Sequence, residues 1–106
     1  MTARFIAMMQ AIRDQHPDAP VYYIAITPSP LRWAIWGEAM AVNEAIQALI
    51  SLMPNTHYIN TGEALMTNGE PDLDNYVSDK LHLSVKGYDI WAEIVRSRIF
   101  GDLGLL

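Results

Sequence analysis

The residues best placed to do chemistry in this 106-residue chain are Asp79 and His82. The carboxylate precedes the imidazole by three residues, just ahead of a predicted helix, so both side chains can lie on one turn. In that arrangement Asp79 accepts the Nδ1 proton of His82, fixes the tautomer and leaves Nε2 free as a general base. Ester hydrolysis by an activated nucleophile needs this geometry. The plainer interpretation is that Asp79 caps a turn and His82 is a half-buried surface histidine.

The residues after His82 predict a helix and resemble part of a known enzyme family. Ser84 is a typical N-cap, and an amphipathic run to Ile99 follows it. An Asp-x-x-His block, then a capped helix with Gly-Tyr in its first turn and Trp-Ala behind it, resembles the last block of the SGNH (GDSL-type) serine hydrolases. The resemblance implies that Asp79 and His82 are two members of a catalytic triad. The family often has Pro after the His, where this chain has Leu83.

Composition predicts one small soluble domain over residues 1–106. The chain is 51% hydrophobic and 18% charged, and its formal charge of −5 comes without a basic run, so nucleic acid is not a predicted partner. The first 15 residues, interrupted by Gln10 and Arg13, predict an amphipathic helix rather than a signal peptide, and no run reaches the length of a membrane span. The chain has no Cys, so disulfides and thiolate metal sites are excluded, but this does not indicate a cellular compartment.

The apolar pattern predicts two strands and three main helices. After the first helix, an almost continuous apolar run that begins at Val21 and ends at Thr27 is typical of a central parallel strand buried on both faces. A long helix over residues 30–53 and a short strand over residues 56–60 complete a βαβ unit. Asn43 falls in the apolar stripe of the long helix, and we expect its amide to bond to a neighbouring loop backbone.

A long polar loop over residues 61–78 separates the second strand from the Asp-x-x-His block. It contains an Asn68-Gly69 turn, a turn over residues 71–74 and one helical turn near Glu63. We expect this loop to bring Asp79 and His82 to the carboxyl ends of the strands, where open α/β sheets place their sites.

This order of elements resembles the carboxy-terminal half of an SGNH hydrolase over nearly the whole chain. The resemblance implies a partial flavodoxin-like α/β fold with a parallel sheet of about two strands and three main helices, completed by oligomerisation. It also implies a Gly-Asp-Ser nucleophile block, an oxyanion-hole Gly and a Gly-x-Asn-Asp block. None of these blocks occurs in the sequence, which therefore looks like a truncated hydrolase.

Ser29 is the hydroxyl in this chain with the best position for a nucleophile. It follows the first predicted strand, so it should lie at the same sheet edge as the loop that carries His82. The alternative role for Ser29, between Pro28 and Pro30, is that of a turn or cap residue.

Three functions compete on these residues. The first is an esterase or lipase-like acyl-ester hydrolase that uses Asp79 and His82 on an ester substrate and needs no cofactor. The second is a non-catalytic oligomeric assembly of a truncated chain. The third is metal binding by His82 and Asp79 with the loop carboxylates Asp72 or Asp74, although one His with scattered carboxylates is weak ligand spacing.

A sheet of two parallel strands predicts association. The strand from Val21 to Thr27 can satisfy its backbone groups on one side only, and its other side is a flat apolar edge. Pairing of that edge with its own copy about a two-fold axis predicts an antiparallel contact and a homodimer.

Overall fold

The computed structural model describes residues 2–105 and arranges them as helices around a small parallel sheet. Met1 and Leu106, the two ends of the predicted domain, lie outside the described residues. Within residues 2–105 the helices are α1 (Thr2–Gln15), α2 (Trp36–Ile50) and α3 (Val85–Asp102). The strands are β1 (Val21–Ile24), β2 (Thr56–Ile59), β3 (Met66–Thr67) and β4 (Glu70–Pro71). None of the helices in this part of the chain is long and apolar enough to cross a membrane.

The main core lies between the sheet and the first two helices. Both helices bury one apolar stripe, and the buried residues are Phe5, Met9, Ile46 and Ile50. Tyr23 of β1 meets the Phe5 ring edge-on at a centroid distance of 5.7 Å. Because Tyr22 points to the opposite face of the strand, its hydroxyl reaches α3 and donates to Asp102 at 2.8 Å. The sheet is therefore covered by α1 and α2 on one face and by α3 on the other.

β1 is parallel to β2 as predicted, but it is shorter than expected and is not a central strand within residues 2–105. Pairing with β2 ends at Ile24, three residues early. Ala25 still donates to the carbonyl oxygen of Ile59 at 2.9 Å, but β2 ends there. On the opposite edge of the segment, the side chain of Asn43 bonds to the backbone of Ile26. The four residues of β1 are only partly buried, because β2 is the one strand neighbour in the described chain.

α2 begins six residues later than predicted because the preceding segment is held as a turn. The backbone N–H of Leu31 donates to the carbonyl oxygen of Lys80 at 3.0 Å. The N–H of Arg32 donates to the hydroxyl of Ser29 at 3.2 Å. A 3-10 turn at Trp33–Ile35 then leads into the helix. The late start leaves the segment after β1 in contact with the loop that carries His82.

Candidate active site

The chain before α3 folds back on itself and carries Asp79 and His82. The ends of this segment, Tyr76 and Leu83, pair in an antiparallel bridge. A further hydrogen bond of 2.9 Å joins the N–H of Val77 to the carbonyl oxygen of His82. We call residues 76–83 the Asp-His hairpin.

Two hydrogen bonds tie the Asp-His hairpin to the segment that follows β1. The buried Tyr76 donates its hydroxyl proton to the carbonyl oxygen of Pro28 at 2.6 Å, and Leu31 donates to Lys80 as described above. Burial raises the pKa of Tyr76, so its hydroxyl stays protonated as a donor. The hairpin therefore lies beyond the carboxyl end of β1, where sites in open α/β sheets are found.

The first turn of α3 supports the hairpin from the other side. Ser84 is the N-cap, as predicted: its hydroxyl accepts from the N–H of Gly87 at 3.2 Å and donates to the carbonyl oxygen of Asp74 at 2.7 Å. The backbone N–H of Ser84 donates to the carbonyl oxygen of Asn75 at 2.9 Å. A Cβ atom on Gly87 would lie 2.2 Å from that same oxygen. The Gly of the Gly-Tyr pair is therefore required for the close approach of α3.

Asp79 uses both of its carboxylate oxygens. Oδ1 accepts from the backbone N–H groups of Leu81 at 2.9 Å and His82 at 3.0 Å. Oδ2 lies 2.5 Å from Nδ1 of His82, while Nε2 has no hydrogen-bond partner among residues 2–105. The His82 and Asp79 side chains are 68% and 46% exposed. The turn cap and the ring contact predicted from the spacing are both present, so the two interpretations are not exclusive.

Hydrogen bonds keep the Asp79 carboxylate ionised. The backbone N–H of Leu81 contributes most, followed by the ring and the N–H of His82, and together they lower the pKa of Asp79 from 3.8 to about 2. An anionic oxygen beside Nδ1 favours a proton on that nitrogen, which leaves the lone pair on Nε2. The arrangement can therefore act as an oriented general base.

Ser29 is near the Asp-His hairpin but is not bonded to His82 in the described residues. Its side chain is buried, and its hydroxyl accepts from Arg32, which is the turn role that the flanking prolines also predicted. Ser29 and Leu81 line one open cavity of about 480 Å³, together with apolar side chains of α2. The two loops thus face a common space without forming a serine–histidine pair.

The loop carboxylates considered as metal ligands have other partners. Asp72 accepts from the N–H of Asp74 at 3.0 Å and from the hydroxyl of Thr67 at 3.1 Å, and these bonds lower the pKa of Asp72. Asp74 lies 3.9 Å from Nζ of Lys86. Within residues 2–105 no three His, Asp or Glu side chains are grouped closely enough to hold a metal ion. The geometry gives the metal hypothesis no support.

Sequence reasoning missed the residues that support the hairpin. Tyr76 carries the bond to Pro28, and the buried Asn75 donates from Nδ2 to the carbonyl oxygen of Leu65 at 3.1 Å. The one available signal was an aromatic side chain in a polar loop, which needs an apolar neighbour. The expectation for Asn43 is confirmed, since its amide bonds to both backbone groups of Ile26.

Most of the chain matches a known protein family. The family model for GDSL-like lipases and acylhydrolases matches residues 1–90. The chain belongs to the GDSL-like lipase/acylhydrolase family. No curated protein matches it.

A solved structure shows the same fold as this GDSL-like chain. A protein from Streptococcus pneumonia, described as a platelet activating factor, matches 87% of the chain with a TM-score of 0.74 at 20% sequence identity. The match covers 47% of that protein, so this chain spans about half of its length. The likeness shows the partial flavodoxin-like α/β fold that the resemblance to SGNH hydrolases implied.

Replacement of Gly87 by Ala tests whether α3 positions the hairpin of this GDSL-like chain. The new Cβ would collide with the carbonyl oxygen of Asn75, so we expect a loss of about 1–3 kcal/mol in unfolding free energy. The matched variant Gly37→Ala, in the first turn of α2, meets no atom within 4 Å and should gain up to about 1 kcal/mol. Equal unfolding free energies in urea for the two variants would contradict this steric account.

The depressed pKa of Asp79 predicts how the hairpin responds to acid. Unfolded Asp has a pKa of about 3.9, so the hydrogen bonds of Asp79 favour the folded state above that value. This contribution is lost as the pH falls through the folded pKa of about 2. A carboxyl titration followed by NMR, with Asp79→Asn to assign the signal, should give a midpoint near 2. A midpoint near the unfolded pKa of about 3.9 would mean that these bonds do not form in solution.

Proposed function

We propose that this chain supplies the oriented general base of a GDSL-like acyl-ester hydrolase. The observation that carries the proposal is the 2.5 Å contact between Oδ2 of Asp79 and Nδ1 of His82, which leaves Nε2 open. Family membership supports the reaction class, because the family consists of lipases and acylhydrolases. In this proposal Asp79 and His82 are the acid and the base of the triad.

The proposed reaction passes a proton through His82 twice. Nε2 removes the proton of a serine hydroxyl while the serine oxygen bonds to the ester carbonyl carbon. The Asp79 carboxylate stabilises the imidazolium, which then protonates the leaving alkoxide as its bond to carbon breaks. Nε2 then removes a proton from water as the water oxygen bonds to the acyl carbon, and the imidazolium returns that proton to the serine oxygen as the bond between the acyl group and the serine breaks. Each proton removed is returned, so His82 ends unchanged.

We propose that the serine and the oxyanion hole come from a polypeptide segment other than residues 2–105. Ser29 is the candidate within the chain, but its hydroxyl is buried and bonded to Arg32. The chain spans about half the length of its solved relative, and it has no Gly-Asp-Ser block. A base without these parts gives little acceleration, since loss of one oxyanion-hole donor alone costs about 10²–10³ in kcat.

A second candidate function, a non-catalytic oligomeric assembly, is favoured by the open edge of β1. Backbone groups on an unpaired edge need partners, and two strands alone are a marginal sheet. In this candidate function the chain forms a homodimer. The proposed interface is β1 (Val21–Ile24), which is shorter than the segment over residues 21–27 predicted from the sequence. The Asp79–His82 contact is then retained without a catalytic task.

Assay of the isolated chain tests the origin of the nucleophile. We expect hydrolysis of short aryl esters no faster than with an equal concentration of free imidazole, and no labelling by a fluorophosphonate probe, because no activated serine is present. Turnover above that control which disappears in both Ser29→Ala and His82→Ala, with native circular dichroism retained, would instead establish Ser29 as the nucleophile.

Mixing this chain with a polypeptide that carries the missing Gly-Asp-Ser block tests the role of His82 as the general base. A second polypeptide that carries the Gly-Asp-Ser block should raise turnover when it is mixed with this chain. The gain should vanish in His82→Ala and persist in the control His16→Ala, whose ring is exposed in the loop after α1. Asp79→Asn should lower kcat by about 10⁴-fold, as neutralisation of a triad carboxylate does. An equal gain in turnover with His82→Ala would show that His82 is not the general base.

A further inference from the structure

Two kinds of contact fix the imidazole of His82, and they fix different properties of it. The bonds that Asp79 makes all lie within one turn, so they set the orientation of the ring and its tautomer. These bonds do not join the turn to the sheet. The distance from Nε2 to the carboxyl ends of the strands therefore depends on the contacts that hold the whole Asp-His hairpin in place.

Pro28 provides a fixed point beyond the ends of both strands. It follows the last residue of β1 by four positions, and its side chain is fully buried. Gly62, three positions beyond the end of β2, packs so closely that a Cβ atom there would lie 3.0 Å from Cδ of Pro28. The carbonyl oxygen of Pro28 is therefore held in place relative to β1 and β2 together.

Tyr76 connects the hairpin to this fixed point. Its side chain is 7% exposed, and its hydroxyl donates to the carbonyl oxygen of Pro28 at 2.6 Å. Water has little access to replace a buried bond of this kind, and a buried acceptor left without its donor costs free energy. Tyr76 pairs with Leu83, and its neighbour Val77 is bonded to His82. A displacement of Tyr76 therefore displaces His82.

The second bond between the hairpin and the segment after β1 is more exposed. Leu31 donates its N–H to the carbonyl oxygen of Lys80 at 3.0 Å, and both residues are exposed to water. Lys80 has a φ of 62°, in the left-handed region that residues other than Gly seldom adopt. Water competes for this bond, so it is the weaker of the two. We expect it to open when the bond from Tyr76 is removed.

We infer that Tyr76 is a positioning residue for the proposed ester hydrolysis: its hydroxyl sets the distance between Nε2 of His82 and the end of the sheet without changing the tautomer of the ring. The inference rests on the proposed function, because this distance matters only if Nε2 takes a proton. A general base acts within hydrogen-bond reach, and a misplacement of about 1 Å can lower a rate by about 10²-fold.

Replacement of Tyr76 by Phe tests the inference in the isolated chain, since it removes the hydroxyl and keeps the ring. The amide of Leu31 should exchange with solvent faster by about tenfold or more, because its acceptor Lys80 moves with the hairpin. The amide of Ala25, which donates to the end of β2, should exchange at the wild-type rate. Tyr88→Phe is the matched control, because the Tyr88 side chain is 52% exposed.

Two results in the isolated chain would overturn the inference. One is a Leu31 amide that exchanges in folded Tyr76→Phe at the wild-type rate, since the hydroxyl would then not hold the hairpin. The other is movement of the His82 proton to Nε2, since the hydroxyl would then act on the tautomer. We expect nitrogen-15 NMR to find this proton on Nδ1 in the variant, as in the wild type.

Turnover in the mixture with the polypeptide that carries the Gly-Asp-Ser block relates the position of His82 to the reaction. With that polypeptide saturating, Tyr76→Phe should lower kcat by about 10²-fold and leave KM for the ester within about twofold. Tyr88→Phe should keep the wild-type kcat. A merely structural role would instead reduce the native circular dichroism signal and the protection of the Ala25 amide together with kcat.

Failure of the inference and failure of the proposed function give different results. A wild-type kcat in Tyr76→Phe would overturn the inference and leave His82 as the base. A gain in turnover that survives His82→Ala would overturn the proposed function, and the inference with it. If Tyr76→Phe loses its native circular dichroism, Gly62→Ala takes its place, because the new Cβ displaces Pro28 and keeps the Tyr76 hydroxyl. A wild-type kcat and a wild-type Leu31 exchange rate in Gly62→Ala would then overturn the inference.

Discussion

The buried hydrogen bond from the Tyr76 hydroxyl to the carbonyl oxygen of Pro28, 2.6 Å long, is the contact on which the geometry of the site depends. Pro28 follows β1 and Tyr76 begins the Asp-His hairpin, so one bond joins segments 48 residues apart in sequence. The contact between Asp79 and His82 is local and needs one turn of chain. Long-range bonds therefore place the imidazole at the end of the sheet, and a local bond sets its orientation.

The local half of this account could be predicted from the sequence. The Asp-x-x-His spacing and the N-cap Ser84 each require contacts within a few residues, and both contacts are present. The support from Tyr76 could not be predicted, because the choice of a partner 48 residues away depends on the packed fold. The length of β1 was overestimated for the same reason. An apolar run sets where a strand can form, but its partners set where pairing stops, and here the partner strand β2 ends at Ile59.

The exposed His82 ring and the open edge of β1 are explained differently by the two candidate functions. The His82 ring is 68% exposed, although a general base works best in a site that excludes water. The outer edge of β1 likewise has no strand neighbour among residues 2–105. A further polypeptide would cover the imidazole in the hydrolase proposal, and a second copy would pair the edge in the assembly proposal. The GDSL-like chain spans about half the length of the solved structure that shares its fold.

The central claim is that Asp79 holds His82 with its proton on Nδ1 and its lone pair on Nε2. Nitrogen-15 NMR of the imidazole ring at a pH where it is neutral measures this tautomer directly. We expect Nδ1 to carry the proton in the wild-type chain. In Asp79→Asn the side-chain amide can donate to Nδ1, so the proton should move to Nε2. A wild-type ring with its proton on Nε2, or a tautomer unchanged by Asp79→Asn, would contradict the account.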